Sequence, residues 1–191
     1  DRNMAKNPKG VYGLLDQLWQ PALAVAKKDR AEMQALLEKE LPGEKLQPWD
    51  WRFLEEKVRK AKFDLDEEAL KPYFPLDQVR EGAFRVAGKL YGITFTELKD
   101  MPVYNPEVKV FEVKEKDGRS LGIFYTDYHP RPGKRGGAWC GRIRSGYGPV
   151  KPIVTNVCNF TRPAGDKPAL LTPDEVTTLF HEFGHALHGF F

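Results

Sequence analysis

His181, Glu182 and His185 form an H-E-x-x-H pentad, His181-Glu182-Phe183-Gly184-His185, near the end of a 191-residue chain. Histidines four residues apart on a helix share one face, so their imidazoles can hold a single Zn²⁺ between them. A glutamate beside them is placed to take a proton from a water held at the same point, which is the chemistry of metal-assisted peptide hydrolysis. A catalytic zinc normally has three protein ligands, and only Ala186 to Phe191 follow the second histidine. The expectation is therefore an internal piece of a longer enzyme, with its third ligand beyond Phe191 and little or no hydrolytic activity of its own.

A helix must carry the pentad, and its start is written in the sequence. Thr172-Pro173-Asp174-Glu175 reads as an N-cap, a proline at the first helical position and an acidic first turn, with Thr172 and Glu175 at capping-box spacing. At about 100° per residue, Val176, Phe180, Phe183 and Leu187 fall on one apolar stripe. His181, His185 and His188 fall nearly opposite, with Glu182 between the two faces. His188 lies a rise of about 10 Å beyond His181, whereas ligand nitrogens sit about 2 Å from zinc. It cannot join the other two on one ion, and it is expected to line the cleft or orient a ligand, with a packed histidine as the alternative. The metzincin pattern needs glycine at position 188 and histidine at position 191, where this chain has His188 and Phe191, and is excluded.

Composition narrows the partners. Thirty Lys+Arg against 27 Asp+Glu leave a net charge of +3, interspersed along the chain, which argues against a nucleic-acid partner. No apolar run reaches the length of about 18 residues that a membrane helix needs, so no membrane partner is expected. Asp1 to Lys6 lacks the apolar stretch of a signal peptide. Cys140 and Cys158 form no C-x-x-C pair and read as free thiols, which fits a cytoplasmic setting with the periplasm as the alternative. A bridge between the two remains open.

Periodicity assigns α+β, predominantly helical: helices, then a small antiparallel-rich sheet, then the metal helix. Residues 1–100 form a helical segment, and residues 101–191 hold the sheet and metal helix of the same partial catalytic lobe. Val11, Leu14, Leu15, Leu18 and Trp19 begin one helical stripe, which Leu23, Ala26, Met33, Leu36 and Leu37 continue past Pro21, where a kink or restart is predicted. Asp50 is predicted to cap a helix bearing Trp51, Leu54 and Val58. Residues 66–70 form a short helix, and Leu76 to Tyr91 a longer one ended by Gly92. Val108 to Val113 and Leu121 to Tyr125 make a hairpin around Asp117-Gly118, and Ile153 to Phe160 a further strand. His129 is expected at the surface. Arg135-Gly136-Gly137-Ala138-Trp139 has small residues that would let a peptide backbone approach a sheet edge, with an ordinary loop as the alternative. Gly136, Gly137, Ala138 and His188 are thus the candidate substrate-binding residues; Arg131, Lys134 and Arg135 are weaker candidates for a substrate carboxylate.

The stretch Phe180 to Gly189 resembles the metal helix of the thimet-oligopeptidase family of zinc peptidases. Gly122 to Asp127 followed by Arg131 and Lys134 to Trp139, Thr155 to Phe160, and Asp166 to Leu171 are similar to other parts of that family. So is the segment from Pro48 to Phe74, with Phe53 where a tyrosine is usual. The resemblance covers essentially the whole chain and is nearest to the bacterial peptidyl-dipeptidase branch. It implies a mostly helical, two-lobed, zincin-like peptidase with a deep channel, one zinc and short peptides as substrates. His181 and His185 would be zinc ligands and Glu182 the catalytic base, with a third ligand, a glutamate, on a following helix. The branch releases dipeptides from free C-termini, whereas its relatives cut oligopeptides internally. An endo-acting oligopeptidase and a non-catalytic helical interaction module are the competing readings, and oligomeric state is open.

Overall fold

The computed structural model describes residues 4–63, 67–165 and 167–191. It divides into two compact units, residues 1–66 and 67–191. That division falls well before the change in sequence punctuation near residue 100, because the helix at Leu76–Tyr91 packs its apolar face onto the sheet.

The first unit is a helical hairpin. Helix α1 (Pro8–Glu40) starts at Asn7, whose side chain accepts from the Gly10 N–H at 2.9 Å. It runs without a break through Pro21, so the helix does not restart there. Proline removes one donor, and the intact turns on either side carry the helix across it. Helix α2 (Trp51–Phe63) returns along its second half, burying Met33, Leu37, Leu46 and Leu54 between them. Gln34 clamps the connection, donating to the Glu44 carbonyl and accepting from the Leu46 N–H. Asp50 accepts from the Gln47 N–H at 3.0 Å. It thus closes the turn preceding α2, where the sequence predicts a cap on α2 itself. Val11, Leu14, Leu15, Leu18 and Trp19 are exposed on α1.

The second unit is α+β. The one-turn helix α3 (Glu67–Leu70) occupies most of the predicted short helix, whose Asp66 lies outside the described residues. Helix α4 (Leu76–Tyr91) ends at Gly92, in the left-handed conformation (φ 72°) that glycine adopts without strain. Five strands follow: β1 (Thr94–Glu97), β2 (Lys109–Lys114), β3 (Ser120–Asp127), β4 (Trp139–Arg144) and β5 (Ile153–Val157). Their order is β1-β2-β3-β5-β4, with only β3 and β5 parallel. The Asp117-Gly118 turn joins β2 to β3 as expected, Gly118 taking a φ of 85°. Strands β1 and β4 were not foreseen. β1 is four residues long, and a central glycine interrupts the apolar alternation of β4. After β3 the chain goes to the sheet edge as β4 and comes back as β5, leaving one side of β4 unpaired.

Helix α5 (Pro173–Phe190) carries the pentad. Thr172 and Glu175 form the predicted capping box: the Glu175 N–H donates to Thr172 Oγ1 at 3.1 Å and the Thr172 N–H to the Glu175 carboxylate at 2.8 Å. Both α4 and α5 reach Phe124 on β3, which is fully buried. Phe84 of α4 lies 6.3 Å from it between ring centroids; Phe183 and Phe190 of α5 each lie 5.9 Å away. The helix is rotated relative to the predicted stripe. Leu179, Phe183, Ala186 and Phe190 are buried with Glu182 beside them, while Phe180 stays exposed. Small residues explain the rotation, since Ala186 and Gly189 let the backbone come close to the sheet. A Cβ added at Gly189 would stand 3.1 Å from Val154 Cγ2.

Both cysteines are free thiols, and burial pushes Cys158 up to about 12. Among the described residues no helix is long and apolar enough to cross a membrane. Since two helices and the sheet meet on Phe124, Phe124→Ala is expected to cost about 3–5 kcal/mol, read as a lower urea midpoint at unchanged slope.

Candidate functional site

The exposed face of α5 brings two imidazoles together. His181 Nε2 and His185 Nε2 are 3.2 Å apart, with ring centroids at 4.8 Å and planes at 82°. Two nitrogens each about 2.0–2.1 Å from a tetrahedral zinc stand about 3.3 Å apart, so these rings already have the separation that a shared ion requires. Imidazole pairs also suit copper, iron and nickel. Among the described residues no group of three or more His, Cys, Asp or Glu side chains is arranged to hold a metal. The pair therefore fits half of a tetrahedral shell.

Glu182, only 8% exposed, points to the side of α5 that meets the sheet edge. It borders an open cleft of about 510 Å³ whose other lining residues on α5 are His185 and His188. Ala138 and the β4 residues Trp139 to Arg142 form the facing wall. The cleft is thus bounded by the helix bearing the pentad and by the strand whose outer edge is unpaired. Among the sequence-predicted substrate residues, Ala138 and His188 line it. Gly136 and Gly137 lie in the loop just before it, held where Asn159 Nδ2 donates to the Arg135 and Gly137 carbonyls at 3.0 and 2.7 Å. Inside the cleft, burial and the Glu182 charge both push the Cys140 thiol up, which keeps it protonated and poorly nucleophilic.

A buried charge cluster anchors the loop that leads into β4. Asp127, 3% exposed, accepts two bonds from Arg131 at 2.8 and 2.9 Å, one from Lys134 Nζ at 2.9 Å and one from the Tyr104 hydroxyl at 3.1 Å. Lys134 Nζ also lies within donating distance of the carbonyls of Asp127, His129 and Cys158, at 3.0, 2.8 and 2.6 Å. One ammonium thus ties the end of β3, the loop and the end of β5 together. Burial alone would push the Asp127 carboxyl up, but the bonds from Arg131 and Lys134 outweigh it and hold it below the usual carboxylate range. Tyr104, whose hydroxyl donates to this carboxylate, is raised to about 12 by desolvation and the Asp127 charge. Arg131 and Lys134 are therefore spent on Asp127, which removes them as candidates for a substrate carboxylate, and Arg135 lies over the Trp139 ring at 4.7 Å. His129 is half-buried, donating from Nδ1 to the Phe160 carbonyl at 3.1 Å.

The sequence matches peptidase family M3 over residues 1–191. The chain belongs to peptidase family M3. It is 46% identical over 98% of its length to the dipeptidyl carboxypeptidase of Escherichia coli (strain K12), and 42% identical over 97% to the oligopeptidase A of the same organism. The mitochondrial intermediate peptidase of Arabidopsis thaliana is 31% identical over 97% of the chain. The chain spans about 28% of the length of these curated relatives.

Two features of this M3 segment escape sequence reasoning. The wall formed by Trp139, Cys140, Gly141 and Arg142 belongs to an unforeseen strand, although Trp139, Gly141 and Ile143 alternate with Cys140, Arg142 and Arg144. Asn156 is a lone amide in the β-branched run of β5, and it proves fully buried beneath the pentad.

The sign of the Asp127 shift defines a test. Its carboxyl is depressed in the folded protein, so its stabilisation is complete above the unfolded value near about pH 4 and is lost as pH falls through the lower folded value. Asp127→Asn leaves Lys134 buried and unpaired and is expected to cost about 3–5 kcal/mol at neutral pH. It should also flatten the acid limb of stability below about pH 4, read by urea denaturation across pH.

Proposed function

We propose that this segment supplies two zinc ligands, His181 and His185, and the general base, Glu182, of a zincin-like catalytic lobe in a peptidase of its relatives' length. The observation that carries this reading is the 3.2 Å separation of the two Nε2 atoms, with Glu182 in the adjoining cleft. Zinc, when bound, polarises the scissile carbonyl and makes its water more acidic. Glu182 would serve as the base that takes a proton from an attacking water and gives it to the leaving amine. The unpaired edge of β4 offers N–H and C=O groups to an extended peptide, and Gly136, Gly137 and Ala138 keep the approach free of bulk. His188, too far along α5 to share the ion, lines the same cleft and contacts the bound peptide.

Short peptides are the proposed partners, with neither nucleic acid nor membrane involved. Release of dipeptides from free C-termini is the favoured activity, supported by the greater identity to the protein named dipeptidyl carboxypeptidase. Internal cleavage is the second reading, supported by the 42% identity to oligopeptidase A. Product masses from one peptide with a free and an amidated C-terminus separate them: amidation blocks the first activity and spares the second. The two free thiols support a reducing, cytoplasmic setting. With two imidazoles as its donor set, the 191-residue chain alone is proposed to bind zinc weakly and to hydrolyse little.

In a full-length protein carrying this segment, Glu182→Gln should retain zinc while kcat falls by at least about 10²–10⁴-fold, the range of general-base contributions. Near-normal hydrolysis by that variant would remove Glu182 from the role. His181→Ala should lose the metal on dialysis, and unchanged zinc content by elemental analysis would favour the non-catalytic interaction module instead.

A further inference from the structure

The metal-binding face of α5 is useful only if the helix is held at one rotation about its axis. Most of what holds it is apolar: Leu179, Phe183, Ala186 and Phe190 against the sheet. Burial of such groups is strong but non-directional, so it resists separation better than it resists rolling. The contact of Gly189 with Val154 limits how close the helix comes and adds no directional bond. A directional contact is present one layer below the pentad. Asn156, on β5 and fully buried, donates from Nδ2 to the main-chain carbonyl of Glu182 at 2.8 Å. In an α-helix that carbonyl also accepts from the N–H four residues on, and its second lone pair is what the amide takes. The amide orientation is set by this acceptor, since the opposite flip would turn oxygen toward oxygen.

The other half of the side chain argues that the amide serves more than folding. Asn156 Oδ1 is buried without a partner among the described residues. A buried acceptor without a bond costs stability, and a leucine of similar size would carry no such cost. Stability alone therefore gives no reason for an amide here, whereas a fixed rotation of the helix does.

We propose that Asn156 is a positioning residue that locks the rotation of α5 through the Glu182 carbonyl and so keeps His181 and His185 convergent. This rests on the reading of those histidines as metal ligands. The bonded carbonyl belongs to the residue between the two ligands, so any roll there displaces both rings together. Partners that orient metal ligands typically contribute 10–100-fold in affinity, which sets the size of the effect.

The test uses a full-length protein carrying this segment, with Zn²⁺ itself as the probe in isothermal titration. Asn156→Leu is expected to weaken zinc binding about 10–100-fold while the melting temperature of the metal-free protein stays level or rises, and to shift the Glu182 carbonyl ¹³C resonance. Asn156→Thr, which suits a strand but is too short to reach the carbonyl, should lower affinity to a similar extent and covers the case in which the leucine variant does not fold. Zinc binding unchanged in either folded variant overturns the proposal, and loss of folding in both assigns the amide to the scaffold and overturns it as well. Failure of the unaltered full-length protein to bind zinc, with His181→Ala indistinguishable from it, would instead overturn the reading of the histidines.

Discussion

The seating of α5 on the sheet is the constraint from which everything else at the site follows. Phe183 and Phe190 reach Phe124 from one helix and Phe84 reaches it from another, so a single strand residue joins both helices to the sheet. Ala186 and Gly189 then set how deep α5 lies and which face it turns inward, because small side chains let its backbone approach the sheet there. That rotation turns Glu182 toward the sheet edge and leaves the two imidazoles on the open side. The separation of carboxylate and imidazoles into adjoining environments is thus a packing result. The proposed reaction needs that separation, with one residue handling a proton while its neighbours face an ion.

The second constraint is electrostatic. The loop between β3 and β4 contains prolines and glycines and would otherwise be loosely held, yet it shapes the approach to the cleft. Asp127 and Lys134 are almost completely buried, and each charge is met by several partners. A buried ion pair is an inefficient way to gain stability. Its use here is geometric, since one ammonium fixes the distances between the ends of two strands and the loop that leaves one of them. The first residues of β4 therefore reach the cleft at a defined place, bordering the same space as Glu182.

Where local chemistry decides structure, the sequence was legible. The capping box at Thr172, the left-handed stop at Gly92 and the Asp117-Gly118 turn each depend on residues within a few positions of one another, and each is found as expected. The approach of His181 to His185 follows from helical spacing alone. Tertiary packing governs what was missed. Helix α1 continues through Pro21 because the turns on either side keep their own bonds where proline removes one donor. The buried face of α5 takes in Glu182 and leaves out Phe180 because small side chains permit closer approach there than Phe180 would. β4 is a strand because β5 offers it a partner, and nothing in Trp139 to Arg144 by itself announces that. Arg131 and Lys134 look like free basic groups until the fold folds Asp127 between them.

Membership of family M3 and the convergence of two imidazoles meet in one claim: that His181 and His185 bind the same metal ion. Anomalous diffraction at the zinc edge, from crystals of a zinc-loaded full-length protein containing this segment, tests it most directly. The account predicts a single peak about 2.0–2.1 Å from both Nε2 atoms, on the exposed face of α5. A fully loaded crystal with no peak between those two rings would contradict it.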